Sequence, residues 1–234
     1  MPTTNYHPLL ILGMHRSGTS CLTGCLEDAG LHLGTVNEKA GFNLKGNREN
    51  RTVMDLHDRI LTRNGAAWNN PPSTPLGFTS ADQKDLHDLL ETYPAQTPIG
   101  FKDPRSLFCL SLWKTVTRPR FIGTFRHPLE VAGSLMRRAK VWKQPMPLST
   151  ALDLWAAYNR QLLREYAAAP FPLIRYDIPA ALYEQKLRAI LPELGLPDNA
   201  SFEFREDNLK TQSLSDPIPP ALDLIWDTLN RLAI

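Results

Sequence analysis

Hydrophobic positions first become continuous at Pro8-Leu-Leu-Ile-Leu12, a short unbroken apolar run that suits a strand buried on both faces. Gly13-Met-His-Arg-Ser-Gly-Thr-Ser20 follows directly, and then Cys21-Leu-Thr-Gly-Cys-Leu-Glu-Asp-Ala-Gly30. In that last stretch Leu22, Cys25, Leu26 and Ala29 recur at helical spacing, and Gly30 supplies a C-terminal stop. The opening unit therefore reads as strand, glycine-bearing turn, helix. A polar stretch over 35–50 leads to a helix expected over about 51–64.

Residues 68–80 are rich in Pro, Asn, Ser and Thr and read as a loop, and 81–92 as an amphipathic helix. Ile99-Gly-Phe-Lys-Asp-Pro104 predicts a short strand entering a tight turn, and Phe121-Ile-Gly-Thr-Phe125 a second clear strand. Pro128 suits the first turn of a helix running through Arg138. A long helix over 149–168, a fourth strand at Pro172-Leu-Ile-Arg-Tyr176, and helices near 181–191 and 219–233 complete the pattern. Strands that alternate with helices predict an α/β fold of three layers, with a mostly parallel sheet flanked by helices. No composition break divides the chain, so 1–234 reads as one domain.

Composition narrows the options modestly. With 42% apolar and 21% charged residues over 234 positions, general disorder is excluded and a sizeable core is available. A net charge of +2 gives no ground for a nucleic-acid partner, so any anion site must arise from local arrangement. Cys21, Cys25 and Cys109 are too few for a disulfide framework; the first two read as small buried side chains on one helix face, without metal-binding partners at ligand spacing. No apolar run approaches the roughly 20 residues needed to span a bilayer. The run at Leu9–Leu12 lacks the preceding basic region of a signal peptide. The default expectation is a reduced, cytoplasmic setting.

The candidate chemistry starts at the first turn. Gly13 and Gly18 allow backbone N–H groups to point into one concavity, the next helix adds its N-terminal dipole, and Thr19 and Ser20 add hydroxyls. This is an anion cradle at a strand's carboxyl end, where open α/β sheets bind ligands. It differs from the pattern G-x-x-x-x-G-K-[ST] in having Thr19 at the lysine position, and the nearby cation is Arg16. A magnesium-dependent phosphotransferase (kinase) and a non-catalytic nucleotide-binding protein are the alternative readings of such a loop.

Met14-His-Arg-Ser-Gly-Thr-Ser20 resembles the 5′-phosphosulfate loop of the sulfotransferases that use 3′-phosphoadenosine 5′-phosphosulfate (PAPS), in which the cation precedes Ser-Gly-Thr. A second element, Phe121-Ile-Gly-Thr-Phe-Arg-His-Pro128 followed by Val131-Ala-Gly-Ser134, is similar to that family's 3′-phosphate site, an arginine after a strand and a serine eight residues later. The resemblance spans roughly residues 8–180 and implies a P-loop-like architecture. It implies that His15, Arg16, Ser17, Gly18, Thr19, Ser20, Arg126 and Ser134 bind the cofactor. The reaction it implies is metal-independent transfer of a sulfuryl group to a hydroxyl or amine of a small-molecule or carbohydrate acceptor, leaving adenosine 3′,5′-bisphosphate.

Physically, two anionic ends need two sites, and arginine provides fixed, bidentate phosphate recognition. Arg16 would stabilise the leaving phosphate. Gly46-Asn-Arg-Glu-Asn-Arg51 resembles the family's segment carrying the proton-accepting glutamate, which implies Glu49 as the base, with Arg48 in place of an aromatic. His57 is the second candidate base, although its position reads as the exposed face of an amphipathic helix. Lys102, in Gly100-Phe-Lys-Asp-Pro-Arg105, resembles the family's lysine at the transferring sulfuryl; Asp103 would pair with Lys102 or Arg105. Arg175-Tyr-Asp177 is similar to a late family element and makes Tyr176 a candidate for cofactor or domain packing. Trp68, Trp142 and Trp155 could line an acceptor pocket, but core packing is the expectation for each. Acceptor identity and oligomeric state are not legible.

Overall fold

A computed structural model describes residues 6–39, 45–94, 97–204 and 217–234; the expected polar stretch over 35–50 lies partly outside them. Strand β1 (Leu9–Leu12) is wholly buried and pairs with β2 (Gly100–Lys102) on one side and β3 (Arg120–Phe125) on the other. Strand β4 (Leu173–Arg175) extends the sheet beyond β3, giving the order β2-β1-β3-β4 with every pair parallel. The all-apolar β1 run follows from this central position, because both faces must be covered.

Alternate residues of β1 serve different cores. Leu9 and Ile11 pack with Ile122 and Ile174 beneath α1 (Thr19–Asp28) and α7 (Ala180–Ile190). Leu10 and Leu12 join Phe101 and Phe125 in a larger cluster. That cluster is covered by α2 (Arg51–Arg63), α3 (Ser80–Leu90), α4 (Ser106–Val116), α5 (Pro128–Val141), α6 (Leu148–Ala168) and α8 (Pro220–Leu232). The three-layer α/β expectation holds.

Local chemistry sets several boundaries. Helix α1 ends where Gly30, at φ 95°, lets its own N–H reach Glu27 O and that of Leu31 reach Leu26 O, closing the last carbonyls. Helix α3 begins with a reciprocal cap between Thr79 and Asp82. Asp82 also binds Arg59, 3.2 Å away, and Arg63, and so clamps α3 to α2. Helix α4 has no counterpart in the pattern-based reading. Its buried residues include Leu107, Cys109, Leu110, Leu112, Trp113 and Val116, so apolar positions surround the helix and blur its stripe. Among the described residues, no helix is long and apolar enough to cross a membrane.

Candidate active site

Because the strands are parallel, their carboxyl ends share one edge of the sheet. There β1 delivers the 13–18 loop, β2 delivers Lys102 and Asp103, β3 delivers Arg126, and β4 delivers Tyr176. The next strand in sequence lies on one side of β1 and the one after it on the other, the arrangement that opens a crevice at strand ends.

The loop is held tightly. Gly13 (φ 148°) lies against Thr124, and Gly18 (φ 86°) lies beneath the ring of Tyr176; a Cβ at either position would strike these neighbours. Thr124 Oγ1 donates to Ser17 O at 3.3 Å. Arg16, also in the left-handed region at φ 68°, turns its Nε to donate to Ser134 Oγ at 2.8 Å. Arg126 reaches Arg16 O at 3.5 Å, pairs with Glu130 at 2.8 Å, and lies 5.3 Å from the centre of the Tyr176 ring. The loop and the β3 exit thus converge, and Arg16, Ser134 and Arg126 stand together despite their separation in sequence.

Positive charge concentrates around Arg16. Burial first, then the charges of Arg138, Arg126 and Arg137, push Arg16 down to about 10. Arg126 Nε, Ser17 Oγ and His15 Nε2 are buried polar atoms without a hydrogen-bond partner among the described residues. Such a cluster fits a polyanion, which would relieve the repulsion and supply acceptors. His15 packs edge-on against Trp68, with ring centroids 5.0 Å apart, and against Tyr158; burial, then Arg105 and Arg138, hold it well below its usual range. Thr19 is buried, and Ser20 Oγ donates to Asn47 O at 3.1 Å, tying α1 to the segment that carries Glu49.

Glu49 and Lys102 meet. Lys102 Nζ lies 2.7 Å from Glu49 Oε1, with side-chain exposures of 2% and 8%. Ile11 is the register partner of Lys102, so this pair sits beside the end of β1. Arg48 is directed elsewhere: its Nε is 3.3 Å from Glu27, and its guanidinium lies 5.0 Å from the Phe204 ring.

His57 corrects the expectation of an exposed position. It is completely buried, with Nδ1 2.7 Å from Asp103 Oδ2 and Nε2 accepting from Trp113 Nε1 at 3.0 Å. Indole nitrogen only donates, so Nε2 carries no proton and Nδ1–H donates to Asp103. Both ring nitrogens are thereby occupied by the protein. Asp103 also accepts from Arg105, through the backbone N–H and through Nη1 at 2.9 Å. Burial would raise the Asp103 carboxyl, but the His57 hydrogen bond and the Arg105 charge outweigh it and hold it far below its usual range. Asp103 therefore pairs with Arg105 and His57, leaving Lys102 to Glu49.

The tryptophans divide. Trp155 is buried and donates to Arg126 O at 2.9 Å, which fixes the β3 exit. Trp68 is partly buried. Trp142 departs from the core expectation: it caps the end of α5 and is 51% exposed, because the helix stops there and the chain turns away. Arg138 was not singled out by sequence pattern, yet its guanidinium lies 5.0 Å from the Trp68 ring centre and 4.7 Å from that of Trp142. Its position one turn beyond Ser134 was the available signal.

No protein-family model and no curated protein matches the sequence. The fold, however, is that of solved sulfotransferases. A sulfotransferase domain from the curacin biosynthetic pathway matches over 97% of this chain and 99% of its own, with a TM-score of 0.57 and 18% identity. A sulfotransferase domain from the Synechococcus PCC 7002 olefin synthase matches over 98% and 94%, with a TM-score of 0.53 and 18% identity. A sulfotransferase from Alicyclobacillus acidocaldarius matches over 98% and 93%, with a TM-score of 0.53 and 14% identity.

Proposed function

We propose that this chain is a sulfotransferase that moves the sulfuryl group of PAPS to an acceptor hydroxyl or amine. The observation that carries the reading is the convergence of Arg16, Ser134 and Arg126 at the end of β1, beside the buried Glu49–Lys102 pair. In it, Arg16 and the loop amides hold the phosphosulfate, and Arg126 with Ser134 holds the ribose 3′-phosphate. The bound donor supplies the electrophilic sulfur and a phosphate leaving group.

Glu49 then removes the proton of the acceptor, and Lys102 stabilises negative charge on the sulfuryl oxygens as it builds. Their contact keeps the carboxylate and the ammonium oriented before the acceptor arrives, so little reorganisation is left for the reaction. Arg16 contributes at the bridging oxygen, where charge appears as the bond to sulfur breaks.

Calorimetric titration in EDTA tests the donor assignment. Adenosine 3′,5′-bisphosphate is expected to bind, AMP to bind more weakly, and Arg126→Ala to weaken the bisphosphate by about 2 kcal/mol or more. Equal affinity for AMP and the bisphosphate overturns the 3′-phosphate assignment. Preferential, magnesium-dependent binding of ATP favours the phosphotransferase alternative.

A further inference from the structure

A cavity of about 260 Å³ opens beside the loop, walled by Trp68, Leu135, Arg138, Trp142, Met146 and Pro147. Its size lies near the lower limit of ligand pockets, at roughly 300 Å³, and suits one ring with a short substituent. Two indoles and an aliphatic floor suit a flat apolar body. Trp142 and the adjoining Val141 and Leu148 are exposed around this cavity.

The electrostatics of the cavity are one-sided. Arg138 is its charged lining group, and no carboxylate lines it. Among the described residues, the Arg138 guanidinium lies close to the Trp68 and Trp142 rings but has no ion pair or hydrogen bond. Burial, only partly offset by the charge of Glu49, lowers its affinity for its proton. The two indoles hold the guanidinium at the cavity wall, and its forked N–H donors match a carboxylate.

The cavity adjoins the proposed reacting centre. Trp68 shares its ring contact with His15 of the loop, and Arg138 is close enough to Arg16 and Glu49 for their charges to interact. Resting on the sulfotransferase reading above, we propose that this cavity is the acceptor site and that it selects a small hydroxylated ring compound bearing a carboxylate. Its ring lies against Trp142, its carboxylate binds Arg138, and its hydroxyl is directed to Glu49.

The probes are 4-hydroxyphenylacetate and its methyl ester, titrated calorimetrically with and without adenosine 3′,5′-bisphosphate. The wild-type protein is expected to favour the carboxylate by about tenfold or more, the effect of one charged hydrogen-bonded pair. Arg138→Gln removes that preference. Trp142→Ala weakens both probes together and keeps the preference. Equal binding of the two probes to the wild-type protein, no binding of either at millimolar concentration, or a preference that survives in Arg138→Gln overturns the inference. Absence of bisphosphate binding instead overturns the donor reading, and the titrations without bisphosphate still report on the cavity.

Discussion

Lys102 Nζ stands 2.7 Å from Glu49 Oε1, joining the last residue of β2 to the residue just ahead of the α2 cap within a buried site. A buried pair is worth little against a well-packed apolar substitute, but removing one partner strands the other charge. Lys102→Met is therefore expected to cost about 3–5 kcal/mol, and the double variant Lys102→Met/Glu49→Gln to recover much of it. Urea unfolding of the wild type, both single variants and the double variant measures the coupling. Strictly additive costs would mean that the pair does not contribute as a unit.

Chemistry at the same pair is separable from binding. Glu49→Gln keeps the size of the side chain but cannot accept a proton, so it should lower kcat by roughly 10²–10⁴ and leave bisphosphate affinity nearly unchanged. Arg16→Ala should damage both, because its charge faces the donor in the ground state and in the transition state. Turnover with an accepted substrate, measured beside bisphosphate binding, distinguishes the two.

On the proposed donor role, Arg16 gives bisphosphate binding a pH signature. Its value of about 10 means that its charge is present below that pH and lost above it. Bisphosphate affinity should therefore fall as pH rises through about 10, and this step should be absent in Arg16→Gln. Calorimetry between about pH 8 and 11 reads the difference.

His57 is expected to act through the fold. His57→Ala strands the Trp113 N–H and removes one donor from Asp103, at a cost of about 1–3 kcal/mol. Nitrogen NMR of the folded protein should show Nδ1 protonated and Nε2 bare. The opposite tautomer would contradict the Trp113 contact.

The α2–α3 clamp sets an acid limit. Burial tends to raise the Asp82 carboxyl, but hydrogen bonds from Arg63, Thr79 and Arg59 prevail and lower it from 3.8 to about 2. The clamp's contribution is thus complete above pH 3.8 and is lost as pH falls toward 2. Thermal melts of Asp82→Asn should show a lower Tm near neutrality and a shallower decline across this window.

Sheet, loop and most helices were legible because each rests on a local signal: an unbroken apolar strand, glycines at turns, a proline opening α5. His57 was misread although a signal existed. Val53, Leu56, Ile60 and Leu61 define the buried stripe of α2, and His57 falls on that stripe, where a polar side chain needs internal partners. Those partners, Asp103 and Trp113, come from distant segments that only the folded topology brings near. The same holds for Glu49 with Lys102 and for Arg16 with Ser134: each residue was singled out, but no local pattern announces their contact. Trp142 was misjudged because aromatic character does not reveal that a helix ends beneath it.

The separation of the two sets of walls has an evolutionary consequence. The groups that cluster around the anion loop leave from strand ends and are locked by one another, so a change at Gly18, Tyr176 or Arg126 propagates to its neighbours. The cavity wall comes mainly from the end of α5 and the turn that follows, within 135–150, opposite Trp68. Within it Leu135 belongs to the core against the sheet, but residues 141–145 are exposed, so mutations at them can accumulate without disturbing the sheet; on the proposed acceptor role, descendants of this chain could change the molecules they accept there while inheriting the strand-end machinery intact.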